Sequence, residues 1–354
     1  MKPFDIITIS GTPSEITDYL SDELIRQGAK DVIYFRRKTI EKYGIENELQ
    51  LRKIFFDIEK VAKENCYECW LESKQIGDKI GIPTGEVIAY SGFSDFIDLL
   101  RIETGEEECS AFIVLKGFVF PDWIACGQTW DTKKFYEKYS IFIKRCPSNG
   151  YKTLVLTTLL GHAYFGINEK GVAVMIQNLR SKDVTIGLPF SLIVYKALVG
   201  SSKAQEAIDI IKNSPRMGAH NYVVVDSSGA CFSIETTVNY TSTIKVQPNN
   251  FLVHTNHSIN SKLLHYVFNY SKTSLQRWEY LYEELKNMKG ILKNEKVKQL
   301  FSDHSVPICR HGSSEHDVAT IAAIWIKPNK KSILAIRGYP CSNPYKEYNL
   351  EAVT

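Results

Sequence analysis

The chain has 354 residues, of which 44% are hydrophobic, 23% charged and 12% aromatic. That composition gives a folded globular protein with one large or two ordinary domains and excludes a disordered chain. A net charge of +3 is too mild for a polyanionic partner, and the densest basic stretch, Lys286 to Lys298, interleaves Lys with Glu, Asn and apolar residues, so nucleic-acid binding is set aside.

Taken from its start, Met1-Lys2-Pro3-Phe4-Asp5 lacks the basic and long apolar regions of a signal peptide. No apolar run reaches the ~20 residues that a membrane helix needs. Eight scattered cysteines form no compact framework, so a cytoplasmic protein with reduced thiols and no membrane partner is expected. The first hundred residues read as helical. "TPSEITDYLSDELIRQ" (12–27) has cap candidates at Thr12 and Ser14 and one apolar face through Ile16, Leu20, Leu24 and Ile25. The helical period continues over 48–77 and returns at "TGEVIAYSGFSDFIDLL" (84–100). Within the second segment, Cys66 and Cys69 have the spacing of half a zinc site. No second pair at matching spacing stands out, so they read as packing and no metal is expected.

From Cys109 the texture changes. Short β-rich runs follow at 109–116, 122–129, 139–145, 151–160 and 171–178, with turns at "SNG" (148–150) and "NEKG" (168–171). Two helices, 189–200 and 202–214, precede strands at 220–226, 230–236, 240–247 and 251–254. A helical segment covers about 272–300, and "VATIAAIWIK" and "SILAIRGY" close the chain as strands. Strands, a helix pair, then strands suit an α+β fold of two antiparallel sheets packed face to face with helices outside.

The boundary itself is "GEEECSAF" (105–112), where three acids run into Cys109 and an apolar strand. Read blandly, Cys109 is the first residue of that strand. Read chemically, it is where a second chain begins. A cysteine released as an N-terminus carries its own base, because its α-amine, with a reference pKa near ~8, can take the thiol proton. Such a site still needs an oxyanion donor and groups that order the amine and nearby charge.

"CSAF", "GQTWD" (127–131), "GHAYFGINEKGVAVMIQNL" (161–179), "VHTNH" (253–257) and "ICR" (308–310) supply such groups in order. Together they resemble the acyl-CoA:6-aminopenicillanic-acid acyltransferase family of N-terminal-nucleophile hydrolases, more distantly related to the choloylglycine hydrolases. "ISGTPSEI" (9–16) and "GEVIAYSGFSDF" (85–96) resemble that family's propeptide. The resemblance implies a four-layer αββα sandwich, with 1–108 as a helical propeptide that stays associated and 109–354 as the catalytic chain. It implies self-cleavage between Glu108 and Cys109, with Cys109 as nucleophile. Asp131 would hold the new α-amine, Asn256 would donate to the oxyanion and Asn178 would add a polar contact there. Arg310 would sit behind Cys109 and fix the charge pattern. The substrate would be a small amide or acyl thioester, with no cofactor and with acyl-CoA allowed as co-substrate; an oligomer is also allowed.

Each residue also has a plain reading. Asp131 serves as a turn acceptor, Asn256 as a loop cap, Asn178 as a strand end and Arg310 as a surface ion pair. His254 and His257, at i and i+3 on a strand end, point to opposite faces, which argues against a metal pair. Glu108 stands where the family carries Gly, so the scissile bond lacks glycine's freedom. An uncleaved, non-catalytic homologue acting as a binding module is therefore the alternative.

Overall fold

The computed structural model describes residues 2–13, 15–45, 47–102, 109–114, 125–248, 250–268, 272–288 and 292–351. The segment ahead of Cys109, called the leader below, begins with a strand, β1 (Ile6–Gly11), followed by α1 (Glu23–Lys42), α2 (Glu48–Asn65), α3 (Tyr67–Ile80), α4 (Thr84–Ser91) and α5 (Phe93–Leu99). Asp22 starts α1, its side chain accepting from the backbone N–H of Leu24 at 2.9 Å and of Ile25 at 3.1 Å. The expected cap Thr12 instead donates to Glu15, and Ser14 lies outside the described residues. Two of the helices expected in the leader are each broken once, and the expected helical segment at about 272–300 is also two helices. Cys66 leaves helical geometry at φ −151°, separating α2 from α3. Gly92 separates α4 from α5, at a place where a Cβ would fall 2.5 Å from Pro189 Cβ.

After the leader come β2 (Ser110–Val114), β3 (Ala125–Lys133), β4 (Ser140–Pro147), β5 (Thr153–Thr158), β6 (Phe165–Asn168) and β7 (Ala173–Asn178). Helices α6 (Phe190–Gly200) and α7 (Ala204–Asn213) lead to β8 (His220–Val225), β9 (Cys231–Thr236), β10 (Thr241–Lys245) and β11 (Phe251–His254). The chain closes with α8 (Lys272–Lys286), α9 (Asn294–Phe301), β12 (Val318–Lys327), β13 (Ser332–Arg337) and β14 (Lys346–Asn349).

The strands form an eight-stranded sheet, β1-β4-β5-β6-β7-β8-β9-β10, and a six-stranded sheet, β11-β2-β3-β12-β13-β14. The expectation of two antiparallel sheets needs one correction, because β1 pairs in parallel with β4 and the first sheet is mixed. The leader is thus more than a helical block: its first strand completes the sheet of the segment that follows.

Alternation along the second sheet assigns its two faces. Ile113, Cys126, Trp130 and Ile324 join the large core shared with the first sheet. Phe112, Ala323 and Trp325 face a second core built with Leu281, Leu285, Leu300 and Phe301 of α8 and α9. Strands β5, β7, β8 and β9 are buried along their whole length, as a sheet covered on both faces requires. Polar contacts also cross between the sheets: Gln128 on β3 donates to Ile176 O at 2.9 Å and accepts from Gln177 at 2.7 Å. No helix among the described residues is long and apolar enough to cross a membrane.

The sulfurs of Cys66 and Cys69 are joined as a disulfide, whereas all thiols were expected to be reduced. Their spacing sets the two residues one helical turn apart, with Cα atoms 5.4 Å from each other.

Candidate active site

Antiparallel pairing carries the expected nucleophile to its neighbours. In the β2–β3 pair Ser110 stands opposite Thr129, so one step back along the chain Cys109 stands beside Trp130. On the other side β11 pairs with β2, His254 opposite Ala111, which brings Asn256 to the same end as Cys109. In the first sheet Asn178 ends β7 directly opposite His220, the first residue of β8. Cys109 is buried, only 4% exposed. Its small pocket is walled by Trp130, Tyr164, Phe165 and Phe190 and by Asn178 and His220.

A residue outside the expected set ties these groups together. Arg277, on α8, is fully buried. Its Nη1 donates to the Cys109 backbone carbonyl at 2.6 Å and to Ser110 Oγ at 2.9 Å. Its Nη2 donates to Asn256 Oδ1 at 3.2 Å. The Asn256 amide in turn donates to the backbone carbonyl of Asn178 at 3.0 Å. One planar guanidinium therefore fixes both the nucleophile's backbone and the side chain expected at the oxyanion. The sequence carried a signal for it. Arg277, Leu281 and Leu285 recur every four residues on one buried stripe of α8, and a cation in such a stripe needs a partner.

The loop carrying Asn256 is rigidly held. Ser274, one turn before Arg277, accepts from the Asn256 backbone N–H at 3.0 Å and lies 2.9 Å from His257 Nδ1. Glu235 on β9 lies 2.9 Å from His254 Nε2 and accepts from Ser258 Oγ and the backbone N–H of Ile259, both at 2.6 Å. Burial alone would raise the Glu235 carboxyl, but His254, Ser258 and Ile259 outweigh it and hold it below the usual range. His257 is pushed down to about 4, first by burial and then by the charge of His254. His254 meets Glu235 and the Thr255 carbonyl, whereas His257 meets the hydroxyls of Thr255 and Ser274.

Asp131 and Arg310 meet at a different point. Asp131 is fully buried on β3, opposite Thr320 of β12. Thr320 Oγ1 accepts from the Arg310 backbone N–H at 2.8 Å, and the Thr320 N–H donates back to Arg310 O at 3.0 Å. Asp131 lies one residue beyond Trp130, on the side from which the chain enters Cys109. It lies two residues along β3 from Thr129, on the same side of the strand, and the Thr129 hydroxyl accepts from the Ser110 N–H next to Cys109 at 3.1 Å. The structure thus gathers Cys109, Asn178 and Asn256 around Arg277, and sets Asp131 with Arg310 one strand over. Glu108, the other half of the expected scissile bond, lies outside the described residues.

The profile of the acyl-coenzyme A:6-aminopenicillanic acid acyl-transferase family matches residues 121–340, well over half of the chain. The chain belongs to this family. The acyl-transferase match covers Asp131, Asn178, Asn256, Arg277 and Arg310, whereas Cys109 and the leader precede it. Among solved structures, a mutant conjugated bile acid hydrolase from Clostridium perfringens is similar at 13% identity and a TM-score of 0.46, covering 68% of this chain and 96% of that one. Penicillin V acylase from Agrobacterium tumefaciens is similar at 11% identity and a TM-score of 0.38, covering 68% and 86%. Comparison with curated proteins gave no match.

Two features near the pocket were not anticipated from the sequence. His220 Nε2 lies 2.6 Å from Asp95 Oδ1, and the other Asp95 oxygen accepts from the Phe190 N–H at 2.7 Å. Asp95 is on α5, so the leader reaches the wall of the Cys109 pocket. A neighbouring narrow cleft, lined by Arg36, Phe93, Ile97, Tyr136 and Arg180, shares Trp130, Tyr164, Asn178 and Phe190 with that pocket. Arg36 comes from α1 and is held by the Tyr90 carbonyl and by the hydroxyls of Tyr136 at 3.3 Å and Tyr164 at 3.4 Å.

Proposed function

We propose that the protein is an N-terminal-cysteine enzyme that cuts itself between Glu108 and Cys109 and then forms an acyl-enzyme on Cys109 from an amide or acyl thioester. In this reading its layers are the αββα sandwich of the N-terminal-nucleophile hydrolases, residues 1–108 are a propeptide and 109–354 the catalytic chain. The observation that carries it is the clasp of Arg277 on the Cys109 carbonyl and Asn256 Oδ1, beside a small pocket lined by aromatic side chains.

The chemistry runs through this chain's own groups. The Cys109 thiol attacks the carbonyl carbon of residue 108, the acyl group shifts from nitrogen to sulfur, and water hydrolyses the thioester, leaving Cys109 with a free α-amine. In turnover that amine takes the thiol proton as sulfur attacks the substrate carbonyl, and returns it to the departing amine or thiol. Asp131 orients the amine. An Asn amide has two N–H donors, so with one on Asn178 O the other serves the developing oxyanion. Water or a bound amine then takes the acyl group, giving acid or amide.

Intact mass tests the reading. The wild-type protein should appear as two chains and Cys109→Ala as one. Incubating the cut protein with acyl-CoA and N-acyl amino compounds should give acid, or amide in proportion to added amine. A chain that stays whole and turns over every substrate as fast as Cys109→Ala does would leave the binding-module alternative standing. The Asp95–His220 pair in the wall of the Cys109 pocket favours a second reading, in which an uncut chain uses His220 as base and Asp95 as its orienter. His220→Asn separates the two: it should abolish turnover in the second reading and leave self-cleavage intact in the first.

A further inference from the structure

Four side chains that the sequence scatters, His304, Cys309, His311 and Cys341, come together outside the Cys109 pocket. Their ligand atoms all lie within 4.8 Å of one another. His311 Nε2 lies 3.3 Å from Cys341 Sγ and 3.7 Å from Cys309 Sγ, and the His304 and His311 rings meet at 5.0 Å. A tetrahedral ion with zinc–sulfur bonds near ~2.3 Å and zinc–nitrogen bonds near ~2.0 Å sets its ligand atoms roughly 3.3–3.8 Å apart. The two measured edges fall in that range.

We infer that His304, Cys309, His311 and Cys341 form a closed, structural Cys2His2 zinc site. Two thiols and two imidazoles are the donors that a borderline-soft ion selects, whereas magnesium and calcium require oxygen. Binding forms two Zn–S and two Zn–N bonds, and the two thiol protons pass to solvent. All four positions belong to the protein, which leaves no open position for catalysis.

The surrounding shell suits the role. Tyr339 stacks on His311 with ring centroids 4.0 Å apart, and its hydroxyl donates to Gly312 O at 3.2 Å. The Asp303 carboxylate accepts from the N–H and hydroxyl of Ser305, and its backbone carbonyl accepts from the Cys309 N–H at 3.1 Å, fixing the turn that carries two of the ligands. The ion would staple the segment entering β12 to the segment leaving β13. Arg310 stands between two of the ligands, so the same staple orders its backbone against Thr320.

The sequence hid this set because its spacing, His-x4-Cys-x-His followed by Cys341 30 residues later, matches none of the paired patterns. The CxxC pair that did match is bonded to itself.

The test uses the full chain, expressed in zinc-containing medium and isolated with a thiol reductant present. Elemental analysis should find one zinc per chain. Replacement by cobalt(II) should give the visible absorption of tetrahedral thiolate coordination. Cys341→Ser and His304→Ala change exposed positions and so spare the core. Each should weaken zinc at least about tenfold, the smallest loss expected even for an outer-shell partner, while Cys66→Ser/Cys69→Ser should keep it. Chelation should lower the melting temperature of the wild type and leave that of Cys341→Ser unchanged. A chain that binds no zinc, that binds it equally after Cys341→Ser, or that is isolated with Cys309 and Cys341 bonded to each other would overturn the assignment.

Discussion

In the proposed mechanism Arg277 would act through two neighbours, Cys109 and Asn256. Asn256→Ala should lower kcat about 10²–10³-fold with little change in KM, the loss of one oxyanion donor. Arg277→Ala should lower kcat by about 10², because a misplaced donor fails much as a missing one does. Arg277→Lys should recover only part, since an ammonium cannot span Cys109 O and Asn256 Oδ1 as the flat fork does. Combining Arg277→Ala with Asn256→Ala should cost little more than Asn256→Ala alone. Steady-state kinetics of the four proteins check this, and full additivity would detach Arg277 from Asn256. His257 sets a pH dependence. Its folded value near 4 lies below the ordinary value near ~6.5, so between them the unfolded chain binds more protons. Stability is therefore complete above about 6.5 and falls as pH drops toward about 4. Melting curves across that window should fall less steeply for His257→Gln. Cys109, Asn178 and Asn256 drew notice because each sits at a strand end within a motif, and the structure sets the three close together. Arg277 was not singled out: the apolar stripe of its helix marks a buried cation in need of a partner, but its partners lie about 20 and 170 residues away in sequence.

The elements were more legible in the segment after Cys109 than in the leader. Strands β5, β7, β8 and β9 are six-residue runs rich in β-branched and apolar residues between turns, a pattern that reads as strand. β6 carries Gly166, β14 is the polar edge run "KEYN", and β1 is a short segment ahead of a stronger helical signal, so each gives little pattern of its own. The break at Gly92 answers to Pro189, a contact no local pattern contains. The leader's own grip is clearest at α3. There Glu72 accepts from Arg145 Nη2 of β4 at 2.9 Å, with both side chains almost wholly buried. Removing one partner of such a pair costs about 3–5 kcal/mol, because the other charge stays buried and unpaired. Glu72→Gln made in the uncut Cys109→Ala chain should lose that much in urea denaturation. A loss below about 1 kcal/mol would mean that water reaches the pair.

At the scale of the molecule, a cut between residues 108 and 109 would leave two chains with no simple way to part. β1 runs beside β4, Arg180 donates to Asp98 of α5 at 2.5 Å, and Asp95 reaches His220. Size-exclusion chromatography of the cut protein in native buffer should give one peak holding both chains, and denaturant should be needed to divide them. A leader lost on native chromatography would contradict this. The parallel β1–β4 pair has a further consequence for anyone who makes the protein. A gene that starts at Cys109 removes the outermost strand of a sheet and bares the backbone donors and acceptors of "SIFIKRCP" on β4 as an edge that other chains can pair with. Such a truncated product should collect in inclusion bodies, and supplying the leader as a separate polypeptide during synthesis should bring it into the soluble fraction. Once assembled, turnover per molecule should not change with dilution, because the leader is a missing piece of the sheet and not a ligand that comes and goes.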